Sequence, residues 1–214
     1  MGKKTIRRII TLGAALVLLT AAVLVCNADS FTWNTIRKEW TYREAQYPDG
    51  VYRLALHANE DAWAGFDRSV KRLRPAVSEN FVIETHITNI DPNLGTGCHY
   101  GLVIYQDSRN WILWGQLDGE RTTAQAVIDG VGYELHNIYT VFPYLRLSKE
   151  GNRYSFSCSE DGSTWVSMPG AYIDMNGSLE GARYGIMAKS YEAYDDFGPT
   201  YNIQFDYFYE TPIQ

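Results

Sequence analysis

The sequence predicts an all-β protein: a two-sheet antiparallel β-sandwich preceded by one N-terminal hydrophobic helix. Three observations lead to this fold class. Short apolar stretches alternate with polar residues, turn residues interrupt them every ten residues or so, and no long stretch of helical period competes after the leader. The chain has 214 residues, of which 45% are hydrophobic and 21% charged, and this ordinary globular composition excludes disordered, collagen-like and low-complexity proteins.

The first 28 residues are typical of an export leader. Residues 3–8 carry four basic side chains, and the eighteen residues 9–26 are uncharged and mostly aliphatic. This pattern indicates a secretory signal peptide, cut before Asp29, or an uncut signal anchor. A lipoprotein signal, with Cys26 as the first residue of the mature chain, is the least favoured alternative. Each of them places residues 29–214 outside the cytoplasm, secreted or held at the membrane by residues 9–26.

Charge and aromatic content change once the leader is set aside. The net charge is −6, and removing the four positive charges of the leader leaves −10 on residues 29–214, which disfavours nucleic acid as a partner. All 30 aromatic residues lie beyond the leader. Cys98 and Cys158 lie there too, and two alternatives stay open for them: a disulfide, or two small buried apolar residues on separate strands.

Ten segments of the exported part are predicted as strands. They are Val51–His57, Phe81–Ile90, Tyr100–Asp107, Trp111–Leu117, Thr122–Asp129, Tyr144–Lys149, Arg153–Ser159, Thr164–Met168, Tyr184–Ser190 and Tyr201–Tyr209. Residues 29–50, with Trp33, Trp40 and Tyr42, are predicted as a lead-in strand on the same body. Asp161-Gly162 is typical of a tight hairpin turn. Since no Pro- or Ser-rich linker interrupts residues 51–210, residues 29–214 are predicted as one domain.

The sequence offers no catalytic or metal-binding pattern. Paired carboxylates at alternate strand positions are missing, the four histidines show no metal-ligand spacing, and neither a G-x-S-x-G motif nor a nucleotide-binding glycine loop occurs. We therefore expect a protein without catalytic residues and without a cofactor. Calcium is the one candidate ion, through carboxylates of Glu192, Asp195 and Asp196, and a solvated acidic loop is the alternative.

Six segments taken together resemble a known family. They are Trp40 with Tyr42-Arg43 before Gly50–Leu54, then Leu73–Ala76, Asn80–Thr85, Gly101–Asp107, Ser159–Trp165 and Phe205–Phe208. In this order and spacing they resemble the concanavalin A-like β-sandwich at the C-terminus of family 43 β-xylosidases and its DUF1349-type relatives. The resemblance covers roughly residues 38–210 and implies a two-sheet jelly roll. In those xylosidases a separate five-bladed propeller carries the catalytic residues, so the resemblance transfers no catalytic role here.

Strand alternation divides the side chains between two faces. One parity is apolar and is predicted as the core: Ile83, Ile87, Val103, Tyr105, Trp111, Leu113, Leu145, Leu147, Tyr154 and Phe156. The other parity is predicted as an open polar face: Glu84, His86, Gln106, Trp114, Gln116, Thr123, Gln125, Arg146, Ser148, Ser155 and Ser157.

The polar face contains a candidate carbohydrate site. Sugars stack on aromatic rings while amide and charged groups bond their hydroxyls, and Trp114, flanked by two glutamines and Arg146, would supply both kinds of contact on the concave sheet. Trp63 is a second aromatic candidate, whereas Trp165 is predicted as a packing residue. The alternative is a solvated sheet surface on which Glu84 and Arg146 form an ion pair and Trp114 fills a gap.

These observations favour a non-catalytic, exported carbohydrate-binding or accessory domain for cell-wall or plant polysaccharide. One alternative is a membrane-tethered structural or protein-interaction module. The other is a glycoside hydrolase of unfamiliar pattern that uses Glu84. We expect a monomer with a carbohydrate ligand, no nucleic-acid partner, and membrane contact through the N-terminal segment alone.

Overall fold

A computed structural model of the chain has two seven-stranded antiparallel sheets and one small hairpin. It describes residues 52–76, 78–89, 97–174, 179–191 and 200–213, and the backbone of 34–36 and 44–46. The predicted all-β fold class is confirmed, and the predicted N-terminal helix and leader lie outside the described residues. Among the residues described, no helix has the length and hydropathy to cross a membrane.

Each sheet combines strands that are distant in the sequence. Sheet A contains, in spatial order, β1 (Asn34–Ile36), β6 (Val70–Pro75), β15 (Arg183–Ser190), β8 (Cys98–Asp107), β9 (Asn110–Leu117), β10 (Arg121–Ile128) and β11 (Val131–Ile138). Sheet B contains β14 (Val166–Asp174), β13 (Arg153–Ser159), β12 (Tyr144–Glu150), β7 (Phe81–Asn89), β16 (Thr200–Pro212), β3 (Tyr52–His57) and β2 (Glu44–Gln46). A separate hairpin joins β4 (Ala62–Trp63) to β5 (Phe66–Asp67).

The ten predicted strands all occur, and their bounds are close except at β14 and at the end of β16. Sequence analysis missed β6, β11 and the two short strands of the hairpin, β4 and β5. Strand β6 was missed because three of its six residues are basic, which suggests a solvated loop. In the structure these side chains are buried, and two of them have acidic partners: Lys71 contacts Asp67 and Arg74 contacts Glu210, each at 2.8 Å.

Of the predicted lead-in strand, residues 29–50, the structure describes two short strands, which lie in different sheets. Strand β1 pairs with β6 at one edge of sheet A, and β2 pairs with β3 at one edge of sheet B. The aromatic residues predicted to pack there, Trp33, Trp40 and Tyr42, lie outside the described residues.

The main core fills the space between the two sheets. Its large, fully buried members include Trp114 from sheet A and Phe156 and Phe205 from sheet B. Cys98 and Cys158 both lie in this core as free thiols, so the structure has two buried cysteines and no disulfide between them. Burial raises the pKa of the Cys158 thiol to about 11.

A second hydrophobic cluster covers the outer face of sheet A. It contains Trp111 and Leu113 from β9, Met187 from β15, and Ala62 from the hairpin, with Trp63 packed against its border. The central strands of sheet A are therefore buried on both faces. Sheet B has its main-core face buried and its other face in contact with water, as β12 shows by alternating buried and partly exposed residues.

Candidate functional site on the outer face of sheet B

The eight residues predicted for a carbohydrate site lie in four separate places. Glu84, His86 and Arg146 lie on the outer face of sheet B, Trp63 and Gln125 on the outer face of sheet A, Trp114 and Gln116 in the core, and Gln106 at one end of the sandwich. The structure therefore brings three of the eight together.

The prediction that Trp114 lies on an open face is wrong. Its side chain is fully buried, its ring centroid lies 5.3 Å from that of Phe156, and its indole N–H donates to the Ser157 carbonyl at 3.0 Å. Gln116 is fully buried as well and donates to the Phe142 carbonyl at 2.9 Å. Because the central strands of sheet A are buried on both faces, the polar residues at alternate positions of β9 do not face solvent.

The outer face of sheet A is closed by the chain itself. Trp63 packs edge-on against Trp111 with centroids 6.3 Å apart, and the Lys189 ammonium lies 5.0 Å from the Trp63 ring centroid. A Cβ atom on Gly132 would overlap the Trp63 indole, so the indole rests directly on the β11 backbone. Gln125 is buried beneath this cover. Trp63 and Gln125 therefore make contacts within the protein and do not form an open ligand surface.

Buried ionic contacts tie the hairpin to sheet A. Lys71 bonds both carboxylate oxygens of Asp67 at 2.9 and 2.8 Å, and the Tyr105 hydroxyl donates to the same carboxylate at 2.5 Å. Burial raises the pKa of Asp67, but the Lys71 ammonium and the hydrogen bonds from Lys71, Ser69 and Tyr105 together outweigh burial and hold this pKa below its ordinary value. Lys189, also buried, contacts Asp61 at 3.2 Å. These contacts stabilise the closed cover.

Strand register gathers a different set of side chains on the outer face of sheet B. Tyr209, Glu84 and Arg146 form one row across β16, β7 and β12, and Tyr207, His86 and Tyr144 form the next row. We call these six residues, with Trp165 and Asp206, the sheet B face. Since they lie outside the core and no hairpin covers them among the described residues, this face is the candidate functional site.

The Glu84 carboxylate is bonded on both oxygens. Arg146 donates to Oε2 from Nε at 3.1 Å and from Nη2 at 2.6 Å, and the Tyr207 hydroxyl donates to Oε1 at 2.7 Å. Burial and the hydrogen bond to Glu84 raise the pKa of Tyr207 well above its ordinary value, so the phenol stays protonated. The ion pair is partly exposed, at 19% for Glu84 and 33% for Arg146, and it orients both groups towards the solvent side.

Aromatic rings border this ion pair. The Arg146 guanidinium lies 3.7 Å from the Trp165 ring centroid, a cation–π contact. Tyr209 stacks on Tyr207 with centroids 4.3 Å apart, and it remains 44% exposed. On the next row the rings of His86 and Tyr144 stack at 4.0 Å. The face therefore presents ring surfaces and hydrogen-bonding groups side by side.

The turn between β13 and β14 holds Tyr144 in place. Gly162 has a φ of +72°, and a Cβ atom there would lie 2.9 Å from the Tyr144 ring. The backbone N–H groups of Thr164 and Ser163 donate to the Asp161 carboxylate at 2.7 and 2.8 Å and hold its pKa well below the ordinary range. Gly162 has the positive φ expected of it, but the pair of β13 and β14 nearest the loop is Cys158 with Val166, so the predicted tight turn is a longer loop, and this loop supports the candidate site.

Comparison with solved structures identifies the fold. The chain is 16% identical to a functionally unknown protein from Saccharomyces cerevisiae, with 86% of this chain and 96% of that chain covered and a TM-score of 0.62. It is 15% identical to a family 43 glycoside hydrolase protein from Bacillus licheniformis over 85% of its length, with a TM-score of 0.66. A xylan β-1,4-xylosidase from Bacillus halodurans C-125 matches 77% of it at 16% identity, with a TM-score of 0.57. The fold is the concanavalin A-like β-sandwich.

The resemblance predicted from six sequence segments is thereby confirmed at the level of the fold. This concanavalin A-like sandwich spans about a third of each Bacillus protein, 37% and 34% of their lengths, and corresponds to their C-terminal sandwich. At such low identity the likeness concerns architecture and not activity. No protein-family model and no curated protein sequence matches the chain.

Four aromatic residues of this sandwich surface were missed by sequence analysis: Tyr144, Trp165, Tyr207 and Tyr209. The sequence predicts Trp165 as a packing residue, but its side chain lies partly exposed beside Arg146. A register shift between Phe205 and Tyr207 interrupts the alternation of β16, so the face of each tyrosine does not follow from simple parity. The available signal was the spacing of Tyr207 and Tyr209, two apart on one strand.

Chemically, the sheet B face can stack on a ring and bond its substituents. In the described part of the chain no group of three or more His, Cys, Asp or Glu side chains could hold a metal ion. The candidate calcium ligands Glu192, Asp195 and Asp196 lie outside that part. The oxygens of Glu84 accept hydrogen bonds from Arg146 and Tyr207, which fix the carboxylate beside the guanidinium.

Proposed function

We propose that this chain is a non-catalytic carbohydrate-binding module that works outside the cytoplasm and binds cell-wall or plant polysaccharide on the sheet B face. Two observations support the proposal. The fold is shared with the sandwich of a family 43 glycoside hydrolase protein and with that of a xylan β-1,4-xylosidase. The sheet B face presents ring surfaces beside charged hydrogen-bonding groups, the combination that sugars need.

Tyr209 carries the proposal. Its ring is 44% exposed, is stacked on Tyr207, and lies in the same cross-strand row as Glu84 and Arg146. A pyranose ring that stacks on Tyr209 brings its hydroxyls within reach of the carboxylate and the guanidinium. Because these groups already orient one another, little side-chain entropy is lost on binding.

Charge favours a neutral ligand. The face holds the carboxylates of Glu84 and Asp206 and one guanidinium, that of Arg146, and the whole chain carries −6. An anionic polysaccharide such as pectate would approach a surface of its own sign. Neutral β-linked polysaccharides of the xylan and glucan type meet no such repulsion.

Affinity gels and calorimetry with xylan, xyloglucan, mixed-linkage β-glucan and pectate test the proposal. We expect binding to at least one neutral polysaccharide, and we expect Tyr209→Ala and Trp165→Ala each to weaken it about three- to tenfold, the value of one aromatic contact. Tyr133→Ala is the matched control, because Tyr133 is 45% exposed but lies on β11 of sheet A. Failure to bind any of these polysaccharides, or equal binding by all variants, would contradict the proposal.

The same preparations decide between the binding module and a hydrolase. The proposal expects no release of reducing sugar from the panel. Release that disappears in Glu84→Gln would replace it with a glycoside hydrolase that uses Glu84.

Export is proposed from the leader, residues 1–28. Fractionation of cells that express the full chain tests it: we expect the protein in the medium or in the membrane fraction, held there by residues 9–26. Full-length protein in the membrane fraction that ignores every polysaccharide would support a tethered structural or interaction module instead. Protein confined to the cytosol would contradict export.

A further inference from the structure

A cavity of about 460 Å³ opens at one end of the sandwich, away from the residues of the sheet B face. Its walls come from the segment that joins β6 to β7, from the β12–β13 hairpin, and from the residues that precede β15. This volume lies within the range of about 300–1,000 Å³ that is usual for small-molecule sites. The described walls are these: Ala76, Ser78, Glu79, Phe81, Ile104, Lys149, Asn152, Tyr154, Leu179, Glu180, Gly181 and Ala182.

The floor of this cavity is apolar. Strand register places Phe81 on β7 opposite Lys149 on β12, and Lys149 opposite Tyr154 on β13, so the three share the last inward-facing row of sheet B. Ile104 from sheet A and Leu179 complete the floor, and both are almost fully buried. A bound molecule would therefore lay an apolar body against two aromatic rings and two aliphatic side chains.

One polar group lies at this depth, the Tyr154 hydroxyl. Tyr154 is 2% exposed, and its hydroxyl has no hydrogen-bond partner among the described residues. Burial raises its pKa to about 12, so it is a neutral donor and acceptor. The hydroxyl keeps some accessible surface, because it is not one of the fully enclosed polar atoms that lack a partner, and a ligand that fills the cavity has to bond it in place of water.

The rim is polar and carries more negative than positive charge. The carboxylates of Glu79 and Glu180 line the rim and form no ion pair with another described residue. The Lys149 ammonium donates a hydrogen bond to the Glu79 backbone carbonyl at 2.8 Å. Asn152 adds an amide. Two carboxylates against one ammonium disfavour an anionic ligand and accept a neutral or cationic one.

We propose that this cavity is a binding site for a phenol whose outer end is neutral or cationic. The aromatic ring would lie on the apolar floor, its hydroxyl would pair with that of Tyr154, and the outer end would meet the carboxylates of the rim. A sugar fits less well at this depth, because most of its hydroxyls would face Phe81, Ile104 and Leu179 unpaired, and each unpaired group is costly. The site is separate from the proposed polysaccharide surface and does not depend on it.

Four probes of one size test the proposal by calorimetry on the full chain. Tyramine and 2-(4-hydroxyphenyl)ethanol carry the phenol, phenethylamine lacks its hydroxyl, and 4-hydroxyphenylacetate has an anionic outer end. We expect the first two to bind, phenethylamine to bind about five- to tenfold more weakly than tyramine, and 4-hydroxyphenylacetate to bind most weakly. In Tyr154→Phe we expect tyramine and phenethylamine to bind equally.

Ala76→Trp is the blocking variant, because Ala76 is exposed at the rim and outside the core. We expect it to abolish phenol binding and to leave polysaccharide binding unchanged, while Tyr209→Ala does the reverse. Near-ultraviolet circular dichroism checks that both variants are folded. Absence of phenol binding at millimolar concentration would overturn the inference. So would phenol binding that neither Ala76→Trp nor Tyr154→Phe reduces.

Discussion

Replacing Trp114 distinguishes a core residue from a ligand-binding one. The structure places its indole in the main core against Phe156, with the N–H bonded to the Ser157 carbonyl. We therefore expect Trp114→Ala to lower the free energy of unfolding strongly, and we expect any variant that still folds to bind polysaccharide like the wild type.

The magnitude follows from the burial and the hydrogen bond. Truncation of a fully buried aromatic side chain to alanine costs about 3–5 kcal/mol, and the 0% exposure of Trp114 places it at the upper end. Trp114→Phe keeps most of the packing but leaves the Ser157 carbonyl without its donor, at a cost of about 1–3 kcal/mol. Since domains of this kind are stable by about 5–15 kcal/mol, the alanine variant removes a large share.

Urea unfolding, followed by tryptophan fluorescence and by far-ultraviolet circular dichroism, measures both variants. With a slope near 2 kcal/mol per molar urea, we expect the midpoint to fall by about 2 M for Trp114→Ala and by about 0.5–1.5 M for Trp114→Phe. Tyr209→Ala is the contrast, with an expected loss of about 1 kcal/mol from its stacked pair. A Trp114→Ala protein of nearly wild-type stability that no longer binds polysaccharide would refute the core assignment.

Three further predictions concern the two sheets. A double-mutant cycle on Glu84→Gln and Arg146→Met, measured by urea unfolding, should give a coupling free energy of about 1 kcal/mol or less, because the ion pair is partly exposed. A coupling free energy above about 3 kcal/mol would mean that the sheet B face is buried. The pKa of Asp67 is lower in the folded protein than in the unfolded chain, where it is near 3.9. The ionised carboxylate therefore stabilises the fold at pH values above the unfolded-state pKa, and this stabilisation is lost as the pH falls through the folded-state pKa. The stability difference between wild type and Asp67→Asn should therefore be large at pH 7 and shrink below about pH 4, and a difference that grows in acid would contradict this sign. Gly162→Ala and Gly151→Ala both force alanine to a positive φ, and each should lower the free energy of unfolding by about 1 kcal/mol. Only the Cβ atom added at position 162 would displace a ring, that of Tyr144. Polysaccharide binding should therefore weaken in Gly162→Ala and stay unchanged in Gly151→Ala.

Residue parity predicted the solvent-facing side chains of sheet B but not those of sheet A, and the difference in solvent exposure between the sheets explains why. On sheet B one face contacts water, so Glu84 and Arg146 alternate with buried apolar residues and were placed correctly. On sheet A the hairpin covers the outer face, and both parities of β9 are buried. Trp111 and Trp114, three residues apart, lie on opposite faces, and each is fully enclosed. Alternation cannot assign a solvent side to a strand that has none.

Contacts between distant residues account for the rest of what sequence analysis missed. Strand β6 contains Arg74, whose ionic partner Glu210 is 136 residues away, and no local pattern shows that this charge is compensated. The aromatic border of the sheet B face depends in the same way on register, because Tyr209 meets Glu84 across strands distant in the chain. Local patterns predicted the strands and the turns, whereas the composition of the candidate site depends on which strands become neighbours.

The short hairpin of β4 and β5 determines which face of the sandwich is free. It places Ala62 and Trp63 over the outer face of sheet A, where Lys71 and Lys189 bond its carboxylates, and so buries Trp111. No described element covers the sheet B face, and its polar groups bond one another without burying the ring of Tyr209. The two faces contain similar residue types, aromatic rings beside paired charges. They differ in that one set is occupied by the chain itself and the other is accessible, and for this reason the proposed ligand surface lies on sheet B.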